Sequence, residues 1–172
     1  RGGGRRVKAL IRSAEPADAG ALVRLAESVG AEAGGWLIAD GGWRSVAEER
    51  RYLKAIRRHN YAAVLVAELD GRIVGRLSIG RESHPASEHV ADVGLMVAEG
   101  YRRRGVGRAL MEGAEAWARA VGALKMELHV FPHNKAALAL YDQIGYRRVG
   151  TRHGHFRRSD GYADAILMEK DL

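Results

Sequence analysis

One short segment of the chain has the residue types of an anion-binding turn. Residues 102–108 read Arg-Arg-Arg-Gly-Val-Gly-Arg and stand between an apolar run and a run with helical periodicity. We therefore predict a turn that joins a strand to a helix. The first N–H groups of a helix have no intrahelical partner and lie at the positive end of its dipole, which favours an anion there. Gly105 and Gly107 would let a phosphate or pyrophosphate reach the backbone.

Two common phosphate-binding motifs do not match this segment. The P-loop has Lys followed by Ser or Thr after its second glycine, whereas Arg108 and Ala109 stand here. The dinucleotide fingerprint needs three glycines in G-x-G-x-x-G spacing, and this segment does not supply the third glycine at that spacing. An unspecialised surface turn is the alternative, so the rest of the chain has to decide.

The composition predicts one globular domain in a reducing compartment. The 172 residues are 47% hydrophobic and 28% charged, and no apolar run reaches the roughly 20 residues of a membrane-spanning helix. The sequence has no cysteine, which excludes disulfides, thiolate metal sites and a cysteine nucleophile and fits the cytoplasm. We expect the domain to span residues 7–172, after a flexible basic N-terminus or expression remnant at residues 1–6. Neither a membrane partner nor a metal is expected.

The net charge of +7 favours an anionic partner. Nucleic acid is one such partner. However, the arginines are spread along the chain and no nucleic-acid-binding motif occurs, so we expect none. A polyanionic small molecule explains the local cluster at 102–108 better.

The hydrophobic pattern predicts the element order β-α-α-β-β-β-α-β-α-β-β. The fourth strand is expected at 90–97, and residues 125–130 alternate polar and apolar side chains as a half-buried fifth strand does. Asn134 is a favourable N-cap for the last helix, and Trp117 on the preceding helix is expected in the core. Antiparallel strands followed by β-α-β crossovers predict a mixed α/β sheet with helices on both faces.

Two segments together resemble the GNAT superfamily of N-acetyltransferases. Arg-x-x-Gly-x-Gly at 102–107 resembles the coenzyme A pyrophosphate loop of that family. Residues 134–146 resemble its Asn-x-x-Ala-x-x-Leu-Tyr-x-x-x-Gly-Phe signature, with Tyr146 in place of Phe. The final hairpin around Asp160 and Gly161 looks most like the phosphinothricin and L-amino-acid N-acyltransferase branch. Ribosomal-protein N-terminal acetyltransferases are similar as well.

The resemblance implies a fold and a cosubstrate. The implied fold is a mostly antiparallel α/β (α+β) sheet of six to seven strands, splayed between strands 4 and 5. The implied cosubstrate is acetyl-CoA, with its pyrophosphate on backbone N–H groups of the glycine turn and its pantetheine arm along the fourth strand. The positions that match the family's cofactor contacts are Leu95, Met96, Val97, Arg102, Arg103, Arg104, Gly105, Val106, Gly107, Arg108, Asn134 and Tyr141.

Tyr141 is the candidate general acid. By resemblance it would protonate the leaving thiolate, and a phenol with a pKa of about 10 holds its proton at neutral pH. The alternative is that Tyr141 only fills the apolar stripe of its helix. Because the chain has no cysteine, we expect direct attack within a ternary complex, with a donor such as the Val97 N–H for the oxyanion.

His129 is the candidate general base. It lies on the polar face of the fifth strand, where it matches a catalytic glutamate of the ribosomal-protein acetyltransferases, and an imidazole can accept a proton at neutral pH. Asp92, Glu88 and Glu127 are rivals. A purely structural hydrogen bond is the other reading of His129.

The acceptor cannot be read from the sequence. A glycine-rich loop at 30–43 contains Trp36 and Trp43, and it predicts either a substrate loop or a segment that a tryptophan pins to the core. We favour a small-molecule amine, such as an amino acid or analogue, and the arginines slightly favour one that bears a carboxylate. A protein N-terminus and a non-catalytic acyl-CoA-binding module remain alternatives, and a homodimer is left open.

Overall fold

The computed structural model describes residues 8–172, in which one mixed sheet carries helices on both faces. The basic segment 1–6 and Val7, at the start of the first predicted strand, lie outside the described residues. Within the described part, the strands are β1 (Leu10–Ser13), β2 (Ala62–Leu69), β3 (Arg72–Arg81), β4 (Val90–Val97), β5 (Lys125–Val130), β6 (Arg147–Arg158) and β7 (Gly161–Asp171). The helices are α1 (Ala19–Gly30), α2 (Val46–Ile56), α3 (Val106–Ala120) and α4 (Lys135–Gln143). Their order is the predicted one.

The sheet confirms the predicted mixed topology. Its strand order is β1-β2-β3-β4-β5-β7-β6, and every neighbouring pair is antiparallel except β4 and β5, which are parallel. Asp-Gly is a residue pair that predicts a two-residue hairpin turn, and Asp70 and Gly71, between β2 and β3, both have the positive φ that this turn requires. Two neighbouring strands that run parallel need a long connection between them, and α3 is the crossover that joins β4 to β5.

Two cores lie on opposite faces of the sheet. On one face, α3 and α4 bury Leu110, Met111 and Leu138 against the central strands. On the other face, α1 and α2 bury Leu22 and Leu53 against β2. The central strands are therefore covered on both sides, which explains the nearly continuous buried run in β2 and β3.

Several boundaries differ from the predicted ones for identifiable reasons. The hydrophobic pattern predicts a third strand at 72–79 and a loop at 80–87. The strand instead continues to Arg81 because its pairing with β4 extends that far, and Pro85–Ser87 form a single helical turn. The second helix is predicted to run towards His59, but α2 ends at Ile56. Trp117 packs against the core but stays half-buried at its edge, because Ala114 and Ala118 face the sheet more directly. Among residues 8–172, no helix combines the length and the apolar character needed to cross a membrane.

The predicted N-cap of α4 is confirmed. The Asn134 side-chain Oδ1 accepts a hydrogen bond from the Ala137 N–H at 3.2 Å. This bond satisfies one of the four N–H groups that the helix start leaves free. Asn134 thereby fixes where α4 begins.

We expect Asn134→Ala to lower the free energy of unfolding by about 1 kcal/mol, because it removes the capping acceptor. Asn134→Asp should keep most of that stability, since a carboxylate caps as well as an amide does. Urea unfolding of the two variants measures the difference. Equal destabilisation by both would show that the cap contributes little.

Candidate functional site

The cleft begins where β4 and β5 separate. The two strands pair at only three positions, of which Asp92 opposite Glu127 is the last. Beyond that pair, β4 continues to Val97 along β3, while β5 continues to Val130 along β7. The splay predicted between strands 4 and 5 is therefore present, and it leaves two strand edges that face each other without a ladder.

Backbone groups of Leu95 and Val97 face this gap. The Ala98 N–H donates to the Val74 carbonyl on β3, and successive residues of a strand turn their polar groups to alternate edges. The backbone N–H and C=O groups of Leu95 and Val97 therefore point away from β3, whereas those of Met96 point towards it. The Val97 carbonyl accepts a hydrogen bond from Arg102 Nε at 2.9 Å. The Val97 N–H is therefore the backbone group of this residue that is left to donate to a ligand.

The predicted glycine turn has the backbone of an anion site. Arg103 and Gly105 both have positive φ, at 62° and 86°, which is uncommon for a residue other than glycine. No side chain caps α3, and its first recorded intrahelical bond runs from the Ala109 N–H to the Gly105 carbonyl. The N–H groups at 106–108 precede that bond and are available to an anion.

The side chains of the turn divide into three groups. Arg103 and Arg108 are exposed and line the cleft. The Arg104 guanidinium lies 5.5 Å from the Tyr101 ring and is not part of the cleft wall. The Val106 side chain is buried in the core, so only its backbone is left for a ligand. Gly107 lines the cleft, where a Cβ would come within 3.0 Å of the Leu140 side chain.

Arg102 is held by a carboxylate. Both of its terminal nitrogens donate to Glu32 at 2.7 Å, in a bidentate pair. Glu32 also accepts a bond from Trp36 Nε1 at 2.8 Å. The hydrogen bonds from Arg102, more than those from Trp36, hold the pKa of Glu32 below its usual range. Arg102 therefore lines the cleft with its charge compensated, and Glu32 joins the turn at 102–108 to the loop that bears Trp36.

The cleft has a volume of about 990 Å³. It runs from the turn at 102–108, through the gap between β4 and β5, to the face of the sheet under α1 and α2. The predicted site residues that line it are Leu95, Met96, Val97, Arg102, Arg103, Gly105, Gly107, Arg108, Asn134, Tyr141, His129, Trp36 and Trp43. The structure thus brings together most of the residues singled out from the sequence, while Arg104 and Val106 are not among its lining residues.

Tyr141 and Asn134 form part of one wall. The Asn134 Oδ1 already accepts the capping hydrogen bond of α4, so its amide nitrogen is the group that can still donate to a ligand. Tyr141 is almost fully buried on α4, and burial raises the pKa of its phenol well above the usual value. The phenol therefore stays protonated, as a hydrogen-bond donor must.

His129 lies on the opposite side of the gap. Its ring stacks on His155 at 5.2 Å and meets the edge of Phe156 at 5.9 Å. Burial, assisted by the charge of Arg152 and by His155, lowers the pKa of His129 below 6.5. His129 Nε2 is buried and has no hydrogen-bond partner, so the ring at neutral pH is uncharged and able to accept a proton.

Asp92 is a second possible proton acceptor, on the same face of the sheet as His129. It lies at the last paired position of β4 and lines the cleft. Burial, with the nearby charges of Glu127 and Glu82, raises the pKa of Asp92 to about 6. A carboxylate with that pKa is a much better proton acceptor than an ordinary aspartate.

The loop between α1 and α2 covers the far end of the cleft. The Trp36 ring stacks on His133 at 5.6 Å and packs beside α1, while Trp43 packs near Met96. Asp40 accepts bonds from the Ser159 N–H at 2.9 Å and Oγ at 2.7 Å, which tie the loop to the β6–β7 hairpin. Both tryptophans therefore pack against the protein and line the cleft, and the role of this loop in substrate binding stays a prediction.

Sequence reasoning missed a buried ion pair beside the cleft, and of its two residues only Arg76 lines the cleft. Arg76 donates to Glu49 at 3.1 Å, and both side chains are buried. A signal existed: Arg76 interrupts the apolar run of β3, and Glu49 occupies a position one turn before buried Leu53 on α2. Charged residues at apolar positions are almost never buried unless paired.

Comparisons with known proteins agree with this geometry. Residues 31–146 match the model of the acetyltransferase (GNAT) family. The N-alpha-acetyltransferase RimI of Mycobacterium tuberculosis is 34% identical over 160 residues, which cover 91% of this chain and 94% of that protein. The L-amino acid N-acetyltransferase AaaT of Escherichia coli is 36% identical over 110 residues, which cover 62% of this chain and 66% of that protein.

A solved structure has the same fold along nearly the whole chain. The GNAT-family acetyltransferase of Streptococcus pneumoniae superposes with a TM-score of 0.86 at 28% identity, covering 96% of this chain and 99% of that one. The family match, the near-full-length relative and the splayed sheet all point to one assignment. The chain belongs to the acetyltransferase (GNAT) family, a family of acetyl-CoA-dependent N-acetyltransferases.

Proposed function

We propose that this protein transfers an acetyl group from acetyl-CoA to the primary amine of a small molecule, an amino acid or an amino-acid analogue. One observation carries the proposal. The backbone groups of Leu95 and Val97 face a cleft that has the uncapped start of α3 at one end and His129 on its wall. A donor bound along β4 would therefore present its reactive end to a proton acceptor.

The residues around the cleft fit acetyl-CoA. The free N–H groups at 106–108, with Arg103 and Arg108 beside them, suit the pyrophosphate. The backbone N–H and C=O groups of Leu95 and Val97 suit the amides of the pantetheine arm, and the Asn134 amide nitrogen belongs to the same cleft wall. When bound, acetyl-CoA supplies the activated acetyl group. The protein's part is to hold the donor, to orient the amine and to move protons.

Three groups of this chain would then take part in the reaction. His129 or Asp92 would remove the proton from the attacking ammonium. The Val97 N–H would donate to the oxygen that becomes negative. Tyr141 would donate to the leaving sulfur from its protonated phenol. The sequence has no cysteine, so the amine would attack directly in a ternary complex.

The choice of a small acceptor is supported by the similarity to AaaT, an amino-acid acetyltransferase by name. The loop between α1 and α2 also narrows the acceptor end of the cleft with Trp36 and Trp43. A second candidate is the N-terminus of a protein, since RimI of Mycobacterium tuberculosis is similar over more of the chain.

An amine panel with acetyl-CoA and detection of free thiol tests the proposal. We expect faster thiol release with amino acids and their analogues than with a peptide that starts with alanine. Exclusive use of the peptide would transfer the assignment to the second candidate. Tight acetyl-CoA binding by calorimetry without turnover of any amine would indicate a non-catalytic binding module.

Tyr141→Phe should lower kcat by about 10²-fold, the usual loss when a proton donor is removed, with little change in acetyl-CoA affinity. Tyr146→Phe is the matched control, because Tyr146 lies 5.9 Å from Tyr141 but bonds to Met126 and is not part of the cleft wall. Stopped-flow thiol release at saturating substrates measures the effect. Equal kcat in Tyr141→Phe and wild type would exclude the donor role.

The pH dependence of kcat should show an acidic limb near or below pH 6.5. A base works only when deprotonated, so activity falls as pH drops through its pKa, which is below 6.5 for His129 and about 6 for Asp92. The limbs expected for His129 and for Asp92 fall in the same pH range. Substituting each residue in turn shows which of them produces the limb.

We expect His129→Gln to lower kcat by about 10²-fold or more and to abolish the limb, as loss of a general base does. Asp92→Asn should keep the limb. Profiles measured from pH 5 to 9 at saturating amine compare the two variants. A limb that survives in His129→Gln and disappears in Asp92→Asn would assign the base to Asp92.

A further inference from the structure

Three buried side-chain nitrogens in residues 8–172 have no hydrogen-bond partner: Trp43 Nε1, Arg76 Nε and His129 Nε2. Buried polar atoms are nearly always paired, because an unpaired one loses its bonds to water without replacement. All three residues line the same cleft. Three unpaired groups in one cleft indicate that a ligand completes their bonding. The mechanism above uses His129 and leaves the other two unexplained.

Arg76 belongs to a cluster of two guanidinium groups around one buried carboxylate. Its side chain is 5% exposed, and Nη2 donates to Glu49 Oε1 at 3.1 Å. The other oxygen of Glu49 accepts from Arg44 Nη1 at 2.8 Å. Two guanidinium groups therefore share one carboxylate, which is fully buried, and of the two arginines only Arg76 is buried while Arg44 is exposed. The buried Arg76 guanidinium thus has a single charged partner, which it shares, and an anion in the cleft would satisfy its remaining donor.

Trp43 fixes the position of this charge. Its ring lies 5.1 Å from the Arg76 guanidinium carbon and 5.2 Å from that of Arg44, and Arg44 also lies over Tyr52 at 4.5 Å. Trp43 Nε1 and Arg76 Nε can only donate hydrogen bonds. The pair therefore offers two hydrogen-bond donors, one of them on a guanidinium, and a carboxylate can accept from both.

The cluster stands across β4 from the candidate base. Arg76 on β3 is opposite Met96 of β4, while His129 is on β5, and the polar groups lie on the face of the sheet that α1 and α2 cover. The acetyl donor would lie along β4 between them. An acceptor whose amine meets the donor over β4 would place its other end towards Arg76 or towards His155. The Arg76 side carries two buried unpaired donors, whereas the buried unpaired atom on the other side is Nε2 of His129, the candidate base.

We propose that Arg76 and Trp43 form a carboxylate-binding subsite that makes the enzyme select primary amines bearing a carboxylate. The proposal rests on the acetyltransferase function proposed above and specifies its acceptor. Trp43 lies on the loop between α1 and α2, its ring is 5.1 Å from the Arg76 guanidinium carbon, and both residues line the cleft. The spacing of amine and carboxylate then determines which acceptors react.

Matched amines test the subsite. Each pair differs only in the carboxylate: methionine and 3-(methylthio)propylamine, phenylalanine and phenethylamine, 4-aminobutyrate and propylamine. We expect the wild type to favour at least one carboxylate member by about tenfold or more in kcat/KM, the usual value of charge-assisted hydrogen bonds. Equal kcat/KM within every pair would overturn the subsite while leaving the acetyltransferase function in place.

Two variants tie the preference to these residues. Trp43→Phe keeps the ring and removes the Nε1 donor, and it should reduce the preference several-fold. Arg76→Met combined with Glu49→Gln removes the ion pair without leaving a buried unpaired carboxylate, and it should bring the ratio of kcat/KM within each pair close to one. Arg72→Met is the matched control, because Arg72 is an exposed residue of the same strand. A preference that survives in both test variants would refute the assignment.

Binding provides a readout that does not depend on turnover. Calorimetry of the same pairs with coenzyme A present should show tighter binding of the carboxylate members to the wild type and to Arg72→Met, and no such difference in the double variant. If no amine is acetylated, the proposed function fails, and the binding comparison alone decides the subsite. Absence of any binding difference in the wild type would then overturn it. Thermal unfolding of each variant confirms that it is folded.

Discussion

The structure depends on the backbone hydrogen bonds that β4 and β5 do not make with each other. Buried N–H and C=O groups need partners, so a sheet that opens in its interior must offer its free edges to something else. Asp92 opposite Glu127 closes the last parallel pair, and from there Leu95 and Val97 face the gap. A ligand with amides can act as a short additional strand. The two helices that follow these strands then begin at either side of the gap.

Features set by local rules could be predicted from the sequence. The turn at 102–108, the Asn134 cap and the hairpin at Asp70 and Gly71 each depend on a few neighbouring residues. The alternation of residues 125–130 likewise fixed which face of β5 carries His129. Because these signals also set the element order, the mixed sheet and its splay followed from them together with the family resemblance.

Interactions between distant residues could not be predicted. Arg102 and Glu32 are 70 positions apart, and Arg76 and Glu49 are 27 apart, so no local pattern brings either pair together. Periodicity also places a side chain on a helix face without giving its depth, which is why Trp117 lies at the edge of the core. The sequence likewise placed Arg102 in a positively charged turn, but it did not show that a carboxylate from another element holds this side chain.

Glu32 has a consequence for the order of events during a catalytic cycle. Its carboxylate is shared between Arg102, in the turn at 102–108, and Trp36, on the loop between α1 and α2. In the proposed function the donor binds at this turn and the acceptor under this loop. A ligand that orders the turn would then also order the loop, so that part of the ordering entropy of the second ligand would already be lost when the first one binds. Thermodynamic linkage makes this effect reciprocal: the factor by which the donor improves the affinity for the acceptor equals the factor by which the acceptor improves the affinity for the donor.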